Sequence, residues 1–291
     1  MAKLTTILGR YYTLTKPGIV RGNLIHTLAG ALFAAVWIPQ WLPIIGVLVG
    51  TSLVIASACV VNNYFDRKID VHMQRTKARA SVTGDIPLLH GLVFAAVLLI
   101  AGFSTLAALT NWIVVAIGVV AYVLYVFAYT LSKPHTVHST LIGAIPGALP
   151  AMAGYVAVTG ELTVGAWCIF ALIALWQLPH FYAISIFRRS EYKQAGVPVL
   201  GVVKPFSVVK KHILFYQIMY LLFVAVMITL QVVVPAAGLL LLAGAAYWLY
   251  VYAYTKGSDI KWAKSIFGAS LVLTLLFPVA GILNMFLNVP V

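Results

Sequence analysis

Charged side chains are scarce in this sequence, and acidic ones are the scarcest. Only 9% of the 291 residues are charged, with 6 Asp and Glu against 19 Lys and Arg. Soluble domains carry about a quarter charged residues, so this shortage, together with 63% hydrophobic residues, excludes an ordinary soluble fold. Linkers and low-complexity tracts long enough to separate domains are also lacking, so we expect a single domain over residues 1–291.

Cysteine is nearly absent as well. The two cysteines, Cys59 and Cys168, both fall inside long apolar stretches. Free cysteine in such surroundings packs as a small apolar side chain. We therefore expect neither a disulfide nor a metal site from these residues.

Apolar runs of about 20 residues recur along nearly the whole chain. Each can cross roughly 30 Å of hydrocarbon as an α-helix. A segment in lipid must satisfy its own backbone hydrogen bonds, and these runs lack the alternation of barrel strands. We predict an all-α polytopic membrane bundle of about nine transmembrane helices, at 19–37, 42–65, 88–110, 112–131, 138–158, 163–187, 212–232, 234–254 and 266–287.

The cations mark one side of the membrane. All 19 Lys and Arg fall in the N-terminal segment up to Arg21 or in the loops after the even-numbered spans. The positive-inside rule places this side in the cytoplasm, with the C-terminus outside. We see neither a signal-like nor a transit-like segment before the first span, which favours a bacterial inner membrane. Juxtamembrane cations contact anionic membrane lipids, so we expect no nucleic-acid partner.

The second span ends in a stripe of oxygen-bearing side chains. Asn62, Asp66 and Asp70 are spaced four residues apart, which places them on one face of a continuing helix. Such ligands suit Mg²⁺, which keeps phosphate oxygens and water among its ligands. Carboxylates at a bilayer edge are costly, so a merely solvated helix end explains this stripe poorly.

Basic residues follow this stripe at once: Arg67, Lys68, Arg75, Lys77 and Arg79. Metal-binding carboxylates beside Arg forks and Lys ammonium groups provide what a diphosphate requires. We interpret the loop as a site for a metal-bound diphosphate. A basic loop that serves only membrane topology is the alternative.

A second polar region lies in and after the sixth span, whose loop should converge with the first on the cytoplasmic side. Gln177 and His180 fall near the middle of that span, where unpaired polar groups are expensive, so both should face the bundle interior or a cavity. Interhelical hydrogen bonding explains them equally well.

In span four, Tyr125 and Tyr129 either line an apolar pocket with their ring faces or belong to an interfacial belt.

Three strings of residues resemble the UbiA superfamily of intramembrane prenyltransferases. The spacing Asn62-x3-Asp66-x3-Asp70 is similar to the first aspartate-rich motif of that superfamily. The strings TKPGIVRGN, NNYFDRKIDVHMQRTKAR and WQLPHFYAISIFRRSEYKQAGVPVLGVV are similar, in that order, to its haem-farnesylating branch. The likeness covers about residues 12–210 and rests on hydropathy alone in the last three spans.

This resemblance implies a UbiA-like bundle whose central cavity opens toward lipid and is capped by cytoplasmic loops. It implies transfer of a farnesyl group from farnesyl diphosphate to a vinyl group of haem B, with addition of water and with Mg²⁺ as cofactor, to give haem O and diphosphate. A downstream haem A synthase or terminal oxidase is the protein partner that it implies.

Two other functions remain open. The nearer is a UbiA-type enzyme that prenylates another aromatic acceptor or a quinone precursor. The more distant is a cation-coupled transporter, but transporters place their charges near the membrane midplane, whereas Asp66 and Asp70 lie at its edge.

The resemblance also implies roles for particular residues. Asn62, Asp66 and Asp70 hold the metal and the diphosphate, and Glu191 supplies a second acidic metal position. The catalytic set is completed by Arg75, Arg79, Lys133 and Tyr192, and the substrate pocket is lined by Asn23, Tyr125, Tyr129, Trp176, Gln177 and His180. The superfamily usually has a second Asp-x3-Asp, whereas this sequence has Glu191 and Ala195, so a second metal there would rely largely on phosphate and water.

Overall fold

The computed structural model describes residues 2–37 and 39–288, and ten long helices account for most of them. These are α1 Ala2–Leu14, α2 Pro17–Ala34, α3 Trp41–Phe65, α4 Leu88–Leu109, α5 Trp112–Ser132, α6 Ser139–Thr159, α7 Val164–Phe187, α8 Phe206–Thr229, α9 Pro235–Tyr254 and α10 Asp259–Leu287. The two long loops contain short helices at Arg67–Asp70, Ala80–Thr83, Arg189–Gln194 and Leu200–Val203. Neither described range contains a β-strand, and the predicted all-α class is confirmed.

Eight helices, α3 to α10, are long and apolar enough to cross a membrane. The first predicted span, 19–37, corresponds to α2, which has 18 residues and is less apolar because it carries an arginine, an asparagine and a histidine. The helices that contain the spans predicted from 212 and 266 begin earlier, α8 at Phe206 and α10 at Asp259. Both helices begin among charged residues, where hydropathy gives no signal.

The helices close into a ring in which α6 lies against four neighbours. It packs on α2, α3, α5 and α7, while α8 and α9 connect α7 to α10, and α10 returns to α2. The closest crossing joins α2 and α6, where a Cβ added to Gly30 would strike the carbonyl of Ala151 and one added to Gly154 would strike that of Thr27. Reciprocal glycines of this kind let two membrane helices touch backbone to backbone.

Two apolar cores hold the ring together. The larger lies mainly among α7, α8, α9 and α10, with residues of α2 and α6, and contains the fully buried Tyr220, Trp248 and Phe277. The smaller lies mainly among α3, α4, α5 and α6. At the end of the bundle where Lys and Arg are concentrated, the beginning of α2 and the ends of α3, α5 and α7 carry the polar side chains that form the candidate site.

Candidate active site

The aspartate stripe keeps its helical geometry across the end of α3. The Asp66 amide donates to the Asn62 carbonyl at 2.9 Å, and the Asp70 amide donates to the Asp66 carbonyl at 2.8 Å. Asn62, Asp66 and Asp70 are 0%, 6% and 4% exposed. The three side chains therefore share one buried face, as their spacing predicts.

Each buried carboxylate is paired with a cation from another part of the chain. Lys133, which directly follows α5, lies 2.6 Å from Asp66 Oδ2, and Arg79 Nη1 lies 2.5 Å from Asp70 Oδ2. Burial alone would lower the pKa of Lys133, but Tyr129 and the Asp66 carboxylate hold it above its ordinary value. Each aspartate engages only Oδ2 in these pairs, and among the described residues neither Oδ1 atom has a partner.

Asn62 is oriented by two neighbouring elements. Its Nδ2 donates to Thr130 Oγ1 at 2.7 Å, and that hydroxyl donates to the Tyr125 carbonyl at 2.8 Å. Because the amide nitrogen is engaged there, the Oδ1 atom points toward Lys16, whose ammonium group donates to it. The amide oxygen is thus aimed into the space beside the carboxylates.

Lys16 is a site residue that the sequence analysis did not identify. It has a left-handed backbone, with φ of 51°, immediately before Pro17. Non-glycine residues rarely adopt this conformation, and those that do are concentrated at functional sites. Burial, ahead of the neighbouring charges, lowers the pKa of Lys16 to about 8. The Lys-Pro pair that opens α2 is the only sequence signal that points to it.

A π-helical segment, Leu124–Tyr129, interrupts α5 just before the site. Such segments are rare and are often found at functional sites. Here it places Tyr125 and Tyr129 side by side, with ring centroids 5.4 Å apart. The Tyr125 hydroxyl approaches Cys59 of α3 at 3.9 Å, and the Lys133 ammonium lies 4.6 Å from the Tyr129 ring centroid. Both rings thus face the bundle interior, which favours the pocket over the belt.

The loop after α7 folds onto the loop after α3, as expected from their common side. Met73 of the first loop packs with Val197 and Val199 of the second in one buried cluster, which Tyr192 also contacts. Burial, and then the neighbouring Tyr129, raises the pKa of Tyr192. Its hydroxyl therefore stays protonated at neutral pH and is available as a donor.

Arg75 and Glu191 lie at the rim and do not contact the stripe. The pKa of Arg75 is lowered by partial burial and then by the nearby charges of Arg79 and Arg188. Within the described part of the chain Arg75 has no carboxylate partner. Glu191 pairs with Arg188 at 3.2 Å, and no described contact joins Glu191 to the stripe.

The deeper candidate residues of α7 are satisfied by neighbouring helices. The Gln177 amide faces α6, lying 3.5 Å from the Ala144 carbonyl, and a side chain at Gly147 would strike it. The Trp176 indole donates to the Ser270 carbonyl of α10 at 2.9 Å. Both residues therefore join helices, which for Gln177 is the hydrogen-bonding interpretation given above.

Asn23 is not brought to the site by any contact among the described residues. Its Nδ2 atom donates to the Ile19 carbonyl of its own helix at 2.9 Å. His180 is buried and its Nδ1 lies 2.7 Å from the Ser270 hydroxyl.

The donor set of the stripe fits Mg²⁺. In the ranges 2–37 and 39–288 no three His, Cys, Asp or Glu residues gather into a metal site. Each carboxylate keeps an Oδ1 atom outside its ion pair, and the Asn62 amide oxygen, which accepts from Lys16, is a third oxygen on the same face. Mg²⁺ is commonly bound in this way, through one or two carboxylates together with substrate phosphates and water.

Residues 23–277 match the UbiA prenyltransferase family. The chain belongs to this family. It is 43% identical over 267 residues to the protoheme IX farnesyltransferase of Shigella flexneri, with 90% of each chain covered. It is also 43% identical over 270 residues to the protoheme IX farnesyltransferase of Escherichia coli O1:K1, with 91% of each covered. The protein is therefore a multi-pass membrane prenyltransferase.

Solved UbiA-type structures share the whole architecture of the chain. A UbiA homologue from Archaeoglobus fulgidus bound to DMAPP and Mg²⁺ superposes with a TM-score of 0.77 at 16% identity, covering 95% of this chain and 99% of that one. A structure of digeranylgeranylglyceryl phosphate synthase superposes with a TM-score of 0.78 at 18% identity, covering 96% and 98%. Because the identities are low, these likenesses concern the fold, and they confirm the predicted UbiA-like bundle.

Proposed function

We propose that this UbiA-family enzyme transfers a farnesyl group from farnesyl diphosphate to a vinyl group of haem B, with addition of water, and releases haem O and diphosphate. The observation that carries the proposal is the buried stripe of Asn62, Asp66 and Asp70 faced by cations at the cytoplasmic end of α3. The choice of haem as acceptor is supported by 43% identity to protoheme IX farnesyltransferases over nine-tenths of the chain.

Mg²⁺ is the proposed cofactor, and Asn62, Asp66 and Asp70 are the residues that would hold it together with the diphosphate. When bound, it stabilises the negative charge of the departing diphosphate. Glu191 is the proposed second acidic position, and its ion pair with Arg188 would have to open for it to take part.

The chain's own cations complete the diphosphate site. Lys16, Arg79 and Lys133 already contact the stripe, so a diphosphate bound there would meet three positive charges. Arg75 and the Tyr192 hydroxyl add donors from the two loops. Donors fixed in advance around a developing negative charge lower the barrier to its formation.

Tyr125 and Tyr129 are positioned to stabilise the farnesyl cation, the second product when farnesyl diphosphate ionises. When the allylic carbon–oxygen bond breaks, positive charge is left on the farnesyl chain. The faces of Tyr125 and Tyr129 attract a cation, and an apolar pocket delays its capture by water. The vinyl group of haem B then attacks the farnesyl carbon, and water adds to the resulting cation with loss of a proton.

The site's position implies an orientation in the membrane. We place the N-terminus and the site in the cytoplasm of a bacterial cell, the chain in its inner membrane among anionic lipids, and the C-terminus outside. This rests on the distribution of Lys and Arg. Because haem O is lipophilic, its hand-over within the membrane to a haem A synthase or terminal oxidase belongs to the same proposal.

The deciding experiment is a mass spectrum of the haem extracted after the purified protein has been incubated with haem B, farnesyl diphosphate and Mg²⁺. We expect a product heavier by one farnesyl group plus one water, formed only without chelator. Unchanged haem B from folded protein would exclude haem as acceptor. Parallel incubations with aromatic and quinone-precursor acceptors would then test the alternative UbiA-type reaction.

A further inference from the structure

The His180 ring is held in place on three sides within the bundle. Trp176 of the same helix stacks on it, with centroids 4.8 Å apart and planes at 30°, and Phe267 of α10 lies 4.8 Å away, tilted by 38°. Phe181 meets the ring edge-on at 5.1 Å. The imidazole therefore has little freedom to turn.

A hydrogen-bond chain fixes which nitrogen of His180 carries the proton. The Ser270 hydroxyl lies 2.5 Å from the Phe267 carbonyl, which can only accept, so the hydroxyl proton is donated there. The same oxygen lies 2.7 Å from His180 Nδ1. Because its single proton is already engaged, Ser270 Oγ accepts in this second bond, and Nδ1 must be protonated. The Nε2 atom of a neutral imidazole is then left with a lone pair.

The structure gives that lone pair no partner. No described residue forms a hydrogen bond with His180 Nε2. This atom is nevertheless not fully buried, and the residue as a whole is 8% exposed. A histidine that only joined helices would be fully explained by its bond to Ser270. An acceptor without a partner that is still open to space, as His180 Nε2 is and the sealed Nε2 of His26 is not, can take a ligand.

We infer that His180 Nε2 is an axial ligand to the iron of the haem acceptor. This inference rests on the proposed function, since haem must be the acceptor. Neutral histidine is a common haem ligand, and a ligand whose other ring nitrogen donates to a fixed partner is held in the correct tautomer and orientation. The chain from His180 through Ser270 to Phe267 is an arrangement of this kind.

The depth of His180 within the bundle is consistent with a reaction at the edge of the porphyrin ring, where the vinyl group lies. Eight residues, or about 12 Å of helix, separate His180 from Arg188 at the cytoplasmic end of α7. Haem held by its iron at this depth would have to reach the diphosphate site with its edge and not with its centre. The vinyl group lies on that edge, whereas the iron lies at the macrocycle centre.

The test is the absorption and electron paramagnetic resonance spectra of haem B bound to the purified protein, recorded without farnesyl diphosphate. We expect a histidine-ligated spectrum in the natural protein. His180→Gly should lose this spectrum and weaken haem binding at least tenfold, and added imidazole should restore the spectrum. Ser270→Ala should weaken binding by about tenfold, the effect typical of losing an outer partner of a metal ligand.

His26 provides the matched control. It packs edge-on against Trp176 at 4.8 Å, but its Nε2 is fully buried, so His26→Ala should keep the natural spectrum. Thermal unfolding of each variant verifies that it is folded.

The outcomes separate this inference from the proposed function. An unaltered haem spectrum in folded His180→Gly, with haem O still formed by the natural protein, overturns the ligand assignment and leaves the proposed reaction standing. A loss of turnover in that variant with an unaltered spectrum also overturns it, and points instead to a proton-transfer role. A natural protein that binds no haem and forms no haem O overturns both.

Discussion

Opposite charges neutralise one another in the site before any substrate is bound. Asp66 and Asp70 are nearly buried, and each is paired with a cation at hydrogen-bonding distance. Removing one partner of a buried pair leaves an uncompensated charge and destabilises the fold. Variants that remove one charge but keep the side-chain shape should therefore lose some stability as well as activity.

Asp66→Asn keeps the size of the side chain and removes the carboxylate. We expect haem O formation to fall about a hundredfold or more, the loss typical when one charge-stabilising group is removed, with the protein still folded. Asp85→Asn is the matched control, because Asp85 is 36% exposed and pairs only with Arg10 at 3.2 Å, and exposed pairs contribute little. Turnover and thermal unfolding of both variants should be compared, and equal turnover would remove Asp66 from the mechanism.

Lys133→Met removes the cation opposite Asp66. Because a hydrogen bond to a charged group contributes about 1.5–3 kcal/mol, we expect kcat/KM for farnesyl diphosphate to fall roughly tenfold to a hundredfold. Lys264→Met is the control, since Lys264 is an exposed lysine of α10 outside both loops of the site. Steady-state kinetics with varied farnesyl diphosphate measure the effect, and identical values for the two variants would contradict the role of Lys133.

Residue spacing was enough to predict the stripe but not all of its partners. Local hydrogen bonds fix Asn62, Asp66 and Asp70 on one face, so their four-residue spacing in the sequence is enough to predict that they lie together. Lys16 contacts Asn62 from 46 positions away through a left-handed backbone. No local pattern encodes such a contact.

The crossing of α2 and α6 brings two backbones together at glycine residues, so it is the helix contact most sensitive to an added side chain. Gly154→Ala would place a methyl group against the Thr27 carbonyl, and backbone cannot move aside as a side chain can. We expect a loss of about 1–3 kcal/mol, the usual cost of overpacking, seen as a lower thermal unfolding temperature. Gly268→Ala is the control, because a Cβ there meets nothing within 4 Å, and it should leave stability unchanged or slightly raise it.

Hydropathy predicted the positions of the helices better than their ends and internal geometry. Helices α8 and α10 begin before the spans predicted from 212 and 266, because they extend past the apolar region into charged residues. The π segment Leu124–Tyr129 was not predicted. Its residues are as apolar and helix-compatible as their neighbours, and only packing against α3 and α6 distinguishes them.

For the molecule as a whole, the fold class and the meeting of the two long loops could be predicted from the sequence, because lipid permits few architectures. Sequence did not give the ring order of the helices, which depends on close contacts such as Gly30 with Ala151. It also left Glu191 unresolved, since an acidic residue beside an arginine pairs locally with Arg188 as readily as with a metal.

Membrane orientation can be tested with the chain's own shortage of cysteine. Cys59 and Cys168 are 0% and 6% exposed, so they should react poorly with a membrane-impermeant thiol reagent. Lys77→Cys and Glu161→Cys each add an exposed position in a loop on one side. In intact cells we expect labelling of Glu161→Cys and not of Lys77→Cys, with the opposite result in inverted vesicles. The reverse pattern would contradict a cytoplasmic site.

The π segment of α5 also constrains how this chain can gain or lose residues. Its wider turn takes up one residue more than an α-helix would, so deleting one residue from Leu124–Tyr129 would restore a continuous α-helix with Lys133 still opposite Asp66. Each further residue removed would turn the end of the helix by about 100°. One deletion in this segment should thus keep the ion pair and change only the placement of Tyr125 and Tyr129, whereas a second should swing Lys133 away from Asp66.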